Sequence, residues 1–147
     1  MTLENKNLVS NYPSAKYSWL KSGGKISHLY KIYNLIELKK LFSNHYIKEK
    51  SLLVIGNLSN TLIKDKGFRG TGIKLSGDFS NVQINNDHML VGAAVLDNYF
   101  SKLCYKKGIS GYEFLYTIPG SIGGNIFMNA GCYNQEIKDK LLSVIFF

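Results

Sequence analysis

The chain has 147 residues, 45% of them hydrophobic and 19% charged, a balance that suits one folded domain with a buried core and excludes a disordered segment. No window carries the roughly eighteen uninterrupted apolar residues of a membrane span, and the N-terminus lacks the basic start and apolar run of a signal peptide, so the expected compartment is the cytoplasm. The net charge of +8 rests on scattered lysines with Arg69 as the sole arginine, a pattern without the clustered donors of a nucleic-acid reader, and no nucleic-acid partner is expected.

Residues 1–16 are polar and aperiodic and read as a loosely held arm. Ile26, His28, Tyr30 and Ile32 alternate with Ser27, Leu29 and Lys31 after the Ser22–Gly24 turn, which predicts a strand. Asn34 then caps a helix with Glu37 closing a capping box, and Leu35, Leu38, Leu41 and Phe42 share one face. "SLLVIG" at 51–56 predicts a short strand buried on both faces that delivers the loop "GNLSN". Further strands are expected at 61–63, 72–75, 81–84 and 89–95, with "KDKGFRG" and "NND" as turns. Asp97 caps a helix running through Phe100, Leu103 and Cys104 to Gly108. Meander and β-helix-β patterns together give an α+β class.

Cys104 and Cys132 stand 28 positions apart without a C-x-x-C or a histidine in ligand spacing, so both read as structural thiols and no metal is expected. His28, His45 and His88 lack partner spacing and read as surface or strand residues.

Two glycine-bearing stretches remain, "IGNLSN" at 55–60 and "IPGSIGGNIFMNAG" at 118–131. One reading is that glycine there only permits tight turns. The other is that both are main-chain cradles for an anion, because a missing Cβ lets consecutive N–H groups approach phosphate oxygens. Neither fits the P-loop or the dinucleotide fingerprint G-x-G-x-x-G.

Together with "YSWLKSGG" at 17–24, the F-R-G turn at 68–70, "GYEFLYTIPGSIGG" at 111–124 and "NAGCYNQE" at 129–136, these loops resemble, in order, the N-terminal half of the UDP-N-acetylenolpyruvoylglucosamine reductases, also called UDP-N-acetylmuramate dehydrogenases. The resemblance covers about residues 17 to 147. It implies a FAD-binding domain of the vanillyl-alcohol-oxidase type, with one small lobe over about 17–76 and a second over about 77–147. By that resemblance Gly56, Asn57, Ser59 and Asn60 contact the FAD diphosphate. Ile118, Pro119, Gly120, Ser121, Gly123 and Gly124 wrap its phosphate and isoalloxazine portions as a cofactor wall rather than a core helix, and Tyr133 lies on the flavin or substrate side. Leu58 replaces a family glycine, and a position needing φ > 0 would cost leucine about 1–3 kcal/mol. Cys132 stands where the family commonly has alanine.

The family reduces a UDP-sugar enolpyruvyl ether with NADPH, through FAD, for peptidoglycan precursor synthesis. Its catalytic serine, arginine and glutamate fall beyond Phe147, so none is expected here, and a substrate-binding C-terminal half is missing from the match. The alternative is a non-catalytic flavin-binding remnant. "LLSVIFF" at 141–147 reads as the opening of a buried strand.

Overall fold

The computed structural model describes residues 7–43 and 51–146. His45, residues 1–6 of the expected arm and Phe147 lie outside the described residues.

The first sheet is built from β1 (Leu8–Pro13), β2 (Lys25–Ile32), β3 (Leu52–Val54) and β4 (Phe68–Leu75), in the order β1-β2-β4-β3. β1 runs antiparallel to β2, whereas β2 and β3 both lie parallel to β4. A one-turn helix α1 (Ser14–Tyr17) links β1 to β2, and α2 (Leu35–Ser43) provides the crossover toward β3.

The arm is not loose from Leu8 onward: β1 pairs with β2 from Leu8↔Tyr30 to Pro13↔Lys25. Tyr12 is buried and stacks on Tyr17 with ring centroids 5.0 Å apart. As an edge strand, β1 leaves Ser10 and Asn11 exposed, so its sequence looks polar while its backbone pairs with β2 along one side. The β2 alternation also fails in detail. Ile26 and Leu29, three residues apart, share one core cluster while His28 is exposed, and the register shift between Ile26 and His28 puts an extra residue on β4, between Phe68 and Thr71.

β3 is a strand but not a buried one. It occupies the opposite sheet edge, with Leu52 and Val54 exposed, because β4 takes the inner position beside β2. Residues 61–63 form no strand, yet Ile63 is buried and its carbonyl accepts Gly24 N–H at 2.9 Å. The expected turn at 64–70 is shorter: Gly67 N–H closes on Lys64 O at 2.7 Å, and Phe68–Gly70 already belong to β4.

α2 matches its local chemistry. Asn34 Oδ1 accepts Glu37 N–H at 2.9 Å, while the Glu37 carboxylate accepts Tyr33 N–H at 2.8 Å, one residue upstream of a standard capping box. Leu38 and Leu41 pack on Ile32 and Ile73, and Phe42 lies at the exposed margin.

A 3₁₀ turn (Gly77–Ser80) leads to the antiparallel hairpin of β5 (Val82–Ile84) and β6 (Met89–Val91), which forms its own two-stranded sheet. α3 (Asp97–Lys106) follows and ends at Lys107 and Gly108, where φ of +70° and the Ile109 N–H to Cys104 O bond of 2.9 Å close the helix. Asp97 is the first helical residue, not the cap, and caps nothing with its side chain. A 3₁₀ segment (Glu113–Thr117) packs on α3, with Phe114 and Leu115 joining Val95, Phe100, Cys104, Ile122 and Ile137 in one core. Next come α4 (Ile122–Met128), the hairpin β7 (Gly131–Cys132) and β8 (Gln135–Glu136), and a last 3₁₀ turn (Ile137–Lys140). Residues 141–146 form no strand and are exposed; no described strand offers them a partner. Among the described residues no helix is long and apolar enough to cross a membrane.

The docking of β1 makes Tyr12 part of the core rather than a tether. Tyr12→Ala is expected to lower the unfolding free energy by about 3 kcal/mol, read by urea denaturation. An unchanged midpoint would return residues 7–13 to the status of an arm.

Candidate cofactor site

The two glycine stretches are far apart in sequence and meet in space. Gly56 lies so close to Ser121 that a Cβ there would sit 2.8 Å from the Ser121 hydroxyl oxygen. One residue on, Asn57 Nδ2 donates to Pro119 O at 3.4 Å, joining the loop after β3 to the turn before α4. The stretch 117–131 thus contains a short helix, and its glycines serve different purposes within it.

Loop 56–60 is largely exposed, and its amides are unspent. None of the amides from Gly56 to Asn60 donates to an acceptor among the described residues. Gly56, Asn57 and Asn60 are exposed, Ser59 is half-buried, and only Leu58 turns inward. Leu58 has φ of +52°, the left-handed backbone that glycine would adopt without penalty. Its side chain is buried with Tyr12, Ile26, Leu29, Ile55 and Ile63, and its carbonyl accepts Trp19 N–H at 3.2 Å. The leucine therefore occupies the core beneath the loop, not the face an anion would approach.

The second stretch divides its amides. Ile118 N–H bonds Leu115 O, Ile122 N–H bonds Val95 O and Gly123 N–H bonds Ala93 O, so these three point into the fold. A Cβ on Gly123 would meet Ala93 Cβ at 2.8 Å, which makes Gly123 a packing glycine rather than a phosphate donor. Ser121 and Gly124 retain amides without an acceptor among the described residues, whereas the Gly120 N–H is turned toward the buried Asp97 carboxyl. Pro119 contributes its carbonyl to the junction and has no amide to offer. Tyr133 is brought to neither loop. It sits exposed at the β7–β8 turn with φ of +53°, followed by Asn134 at +60°, and no hydrogen bond or ring contact among the described residues ties it to them.

Behind Gly120 stands Asp97, a residue the sequence presents only as a helix cap. It is fully buried, its amide donates to Gly120 O at 3.3 Å, and neither carboxylate oxygen has a hydrogen-bond partner. A Cβ on Gly120 would meet Asp97 Oδ2 at 2.5 Å and Asn125 Oδ1 at 3.0 Å. Burial raises the Asp97 pKa from the ordinary carboxylate range to about 7. The Asn125 amide and the Gly120 N–H draw it the other way without closing a hydrogen bond. Asn125 is itself buried with an unpartnered Nδ2. Exposed Trp19, hung on Leu58 O, is the other neighbour of this site that local pattern did not single out.

Two open depressions of about 400 and 420 Å³ lie elsewhere, one around the β7–β8 hairpin and one lined by Lys25, Lys66 and Arg69. Both are shallow and polar and hold no converging buried donors, so the glycine junction is the better candidate. Burial and the charge of Glu113 push the Cys104 thiol up, which leaves it unreactive.

The family profile described as FAD binding domain matches residues 34–146. This chain belongs to that FAD-binding family. Curated relatives include the UDP-N-acetylenolpyruvoylglucosamine reductases of Pelagibacter ubique, 42% identical over 91% of this chain, and of Rickettsia typhi, 35% identical over 91%. The chain covers 44% and 45% of those two proteins. Among solved structures it is similar to the UDP-N-acetylenolpyruvylglucosamine reductase of Thermus caldophilus, with a TM-score of 0.73, 31% identity, and coverage of 90% of this chain and 45% of the other. The chain thus spans less than half the length of the relatives it matches. The α+β class expected from pattern agrees with this FAD-binding domain fold.

Amides without an acceptor among the described residues thus gather in the two loops that meet at Gly56 and Ser121, and a Cβ at Gly56 would intrude on that contact. The backbone at Leu58 makes a further expectation. Leu58→Ala and Leu58→Gly both lose the buried side chain, about 2–5 kcal/mol of stability. The glycine variant is expected to be the more stable of the two by about 1 kcal/mol, since it relieves the left-handed strain. Paired denaturation curves check this, and the usual order with alanine ahead would contradict a positive φ.

Proposed function

We propose that this chain is the FAD-binding part of an NADPH-dependent reductase that converts UDP-N-acetylenolpyruvoylglucosamine to UDP-N-acetylmuramate in peptidoglycan precursor synthesis. The observation that carries the reading is the junction itself, two glycine loops that meet at Gly56–Ser121 and Asn57–Pro119 with amides that lack acceptors among the described residues. The FAD family and the reductase names of the relatives support it.

In this reading the FAD diphosphate rests on the amides of Gly56–Asn60, with Ser59 and Asn60 adding side-chain donors. Gly120, Ser121 and Gly124 close over it from the second loop, while Ile118 and Pro119 give an apolar edge for the flavin ring. Bound FAD supplies a carrier that takes a hydride from NADPH and gives it to the enolpyruvyl group of the UDP-sugar. The protein's part is to orient that carrier and shield it from water. No residue of this chain is assigned to proton transfer; that step and UDP-sugar binding are assigned to the part of the relatives that this chain does not cover, and the compartment is cytoplasmic.

Titration of the purified chain with FAD tests the reading. Binding quenches flavin fluorescence, and Asn57→Ala is expected to weaken it about threefold to tenfold by loosening the junction, the effect of one hydrogen bond. Flavin binding without NADPH oxidation would mark a flavin-binding chain that does not turn over alone. No flavin binding at all would overturn the proposal.

A further inference from the structure

Asp97 is the least satisfied polar residue of the described structure and has no part in the reading above. It lies at full burial in the first turn of α3, its carboxylate oxygens lack partners, and its carboxylate presses on Gly120, where no Cβ would fit. Across it stands the Asn125 side chain, from the first turns of α4, also buried and with Nδ2 unpartnered. The carboxyl, the amide and the Gly120–Ser121 turn make one closed polar unit directly behind the main chain assigned to the cofactor.

We infer that Asp97 is a positioning residue that supports the Gly120–Ser121 turn as a neutral carboxylic acid, and that its ionisation weakens binding of an anionic cofactor at that turn. The inference rests on the FAD reading of the site. An ionised carboxylate without hydrogen bonds or a counter-charge is disfavoured in a dry environment, and more so with a diphosphate on the far side of a single glycine. A helix N-terminus favours an anion, but desolvation prevails here, since burial raises the Asp97 pKa to about 7. The groups facing the carboxyl are Asn125 from α4 and the Gly120 N–H from the turn, neither titratable, and no charged side chain among the described residues offsets the burial. A neutral carboxylic acid can also donate a hydrogen bond to Asn125 Oδ1, which the ionised form cannot.

The sign follows from linkage. A negatively charged ligand raises the pKa of Asp97 further, so binding takes up a proton wherever the free chain has already lost it. FAD affinity is therefore constant below about pH 6.5 and falls above about pH 7, with Kd rising by at most about tenfold per pH unit. Fluorescence titration of the chain with FAD between about pH 6 and about pH 9 reads this, the diphosphate keeping its charge throughout that range. Asp97→Asn keeps shape and neutrality and is expected to bind FAD with a flat pH profile, whereas a purely structural role for Asp97 would leave the slope in place. Calorimetry of the wild-type chain in two buffers of different ionisation enthalpy at about pH 8 needs no variant and is expected to read uptake of part of a proton per FAD. A flat wild-type profile, absent proton uptake, or the same slope in Asp97→Asn overturns this inference while leaving the FAD reading intact. Absence of FAD binding at every pH overturns both.

Discussion

The site depends on one approach of backbone to side chain, Gly56 against Ser121, which closes a chain segment of more than sixty residues. The hydrogen bond at the junction among the described residues is long and exposed, Asn57 Nδ2 to Pro119 O at 3.4 Å, and bonds of that kind contribute about 1 kcal/mol or less. It cannot set the geometry by itself. Each loop is instead pinned by its own core: the first by Ile55 and Leu58, buried beneath the sheet, the second by Leu115 and Ile122, buried under α3. The two cores bring the loops edge to edge, and the hydrogen bond adds a small increment to the alignment they set. Because the amides have no acceptor of their own among the described residues, an anion would meet donors that need not give up another bond, which is how a preorganised site limits the cost of binding.

The features legible in the sequence were those whose causes are local. α2 follows from Asn34, Glu37 and a leucine stripe, all within nine residues, and the β5–β6 hairpin from its polar turn. α3 and its end at Gly108 follow in the same way. What failed was set by distant partners. β1 looks like an arm because an edge strand earns its place through backbone pairing, to which side-chain pattern is nearly blind. β3 looks buried because "LLVI" is apolar, but burial depends on which strand takes the inner position, and β4 takes it. The glycine loops were legible as motifs, but not the contact that joins them. Local pattern could not separate Gly124, whose amide stays free, from Gly120, turned toward Asp97, or from Gly123, which packs on Ala93.

Leu58 and Asp97 each break a local rule, and they do so on opposite sides of the same junction. Leucine in left-handed backbone costs about 1–3 kcal/mol, while burying a leucine side chain contributes about 1.5–3 kcal/mol. The two nearly cancel, so this chain carries a side chain in backbone that glycine would adopt freely without a large net effect, provided the leucine reaches the core, as it does. Asp97 has no such offset: its carboxyl is dry and unpartnered, and neutrality is the only inexpensive state open to it. One exception is a matter of shape and resolves itself by packing; the other is a matter of charge and resolves itself only by holding a proton. Exceptions of this kind gather where a fold serves a ligand rather than its own stability, and the distribution here points to the glycine junction and away from the two open depressions.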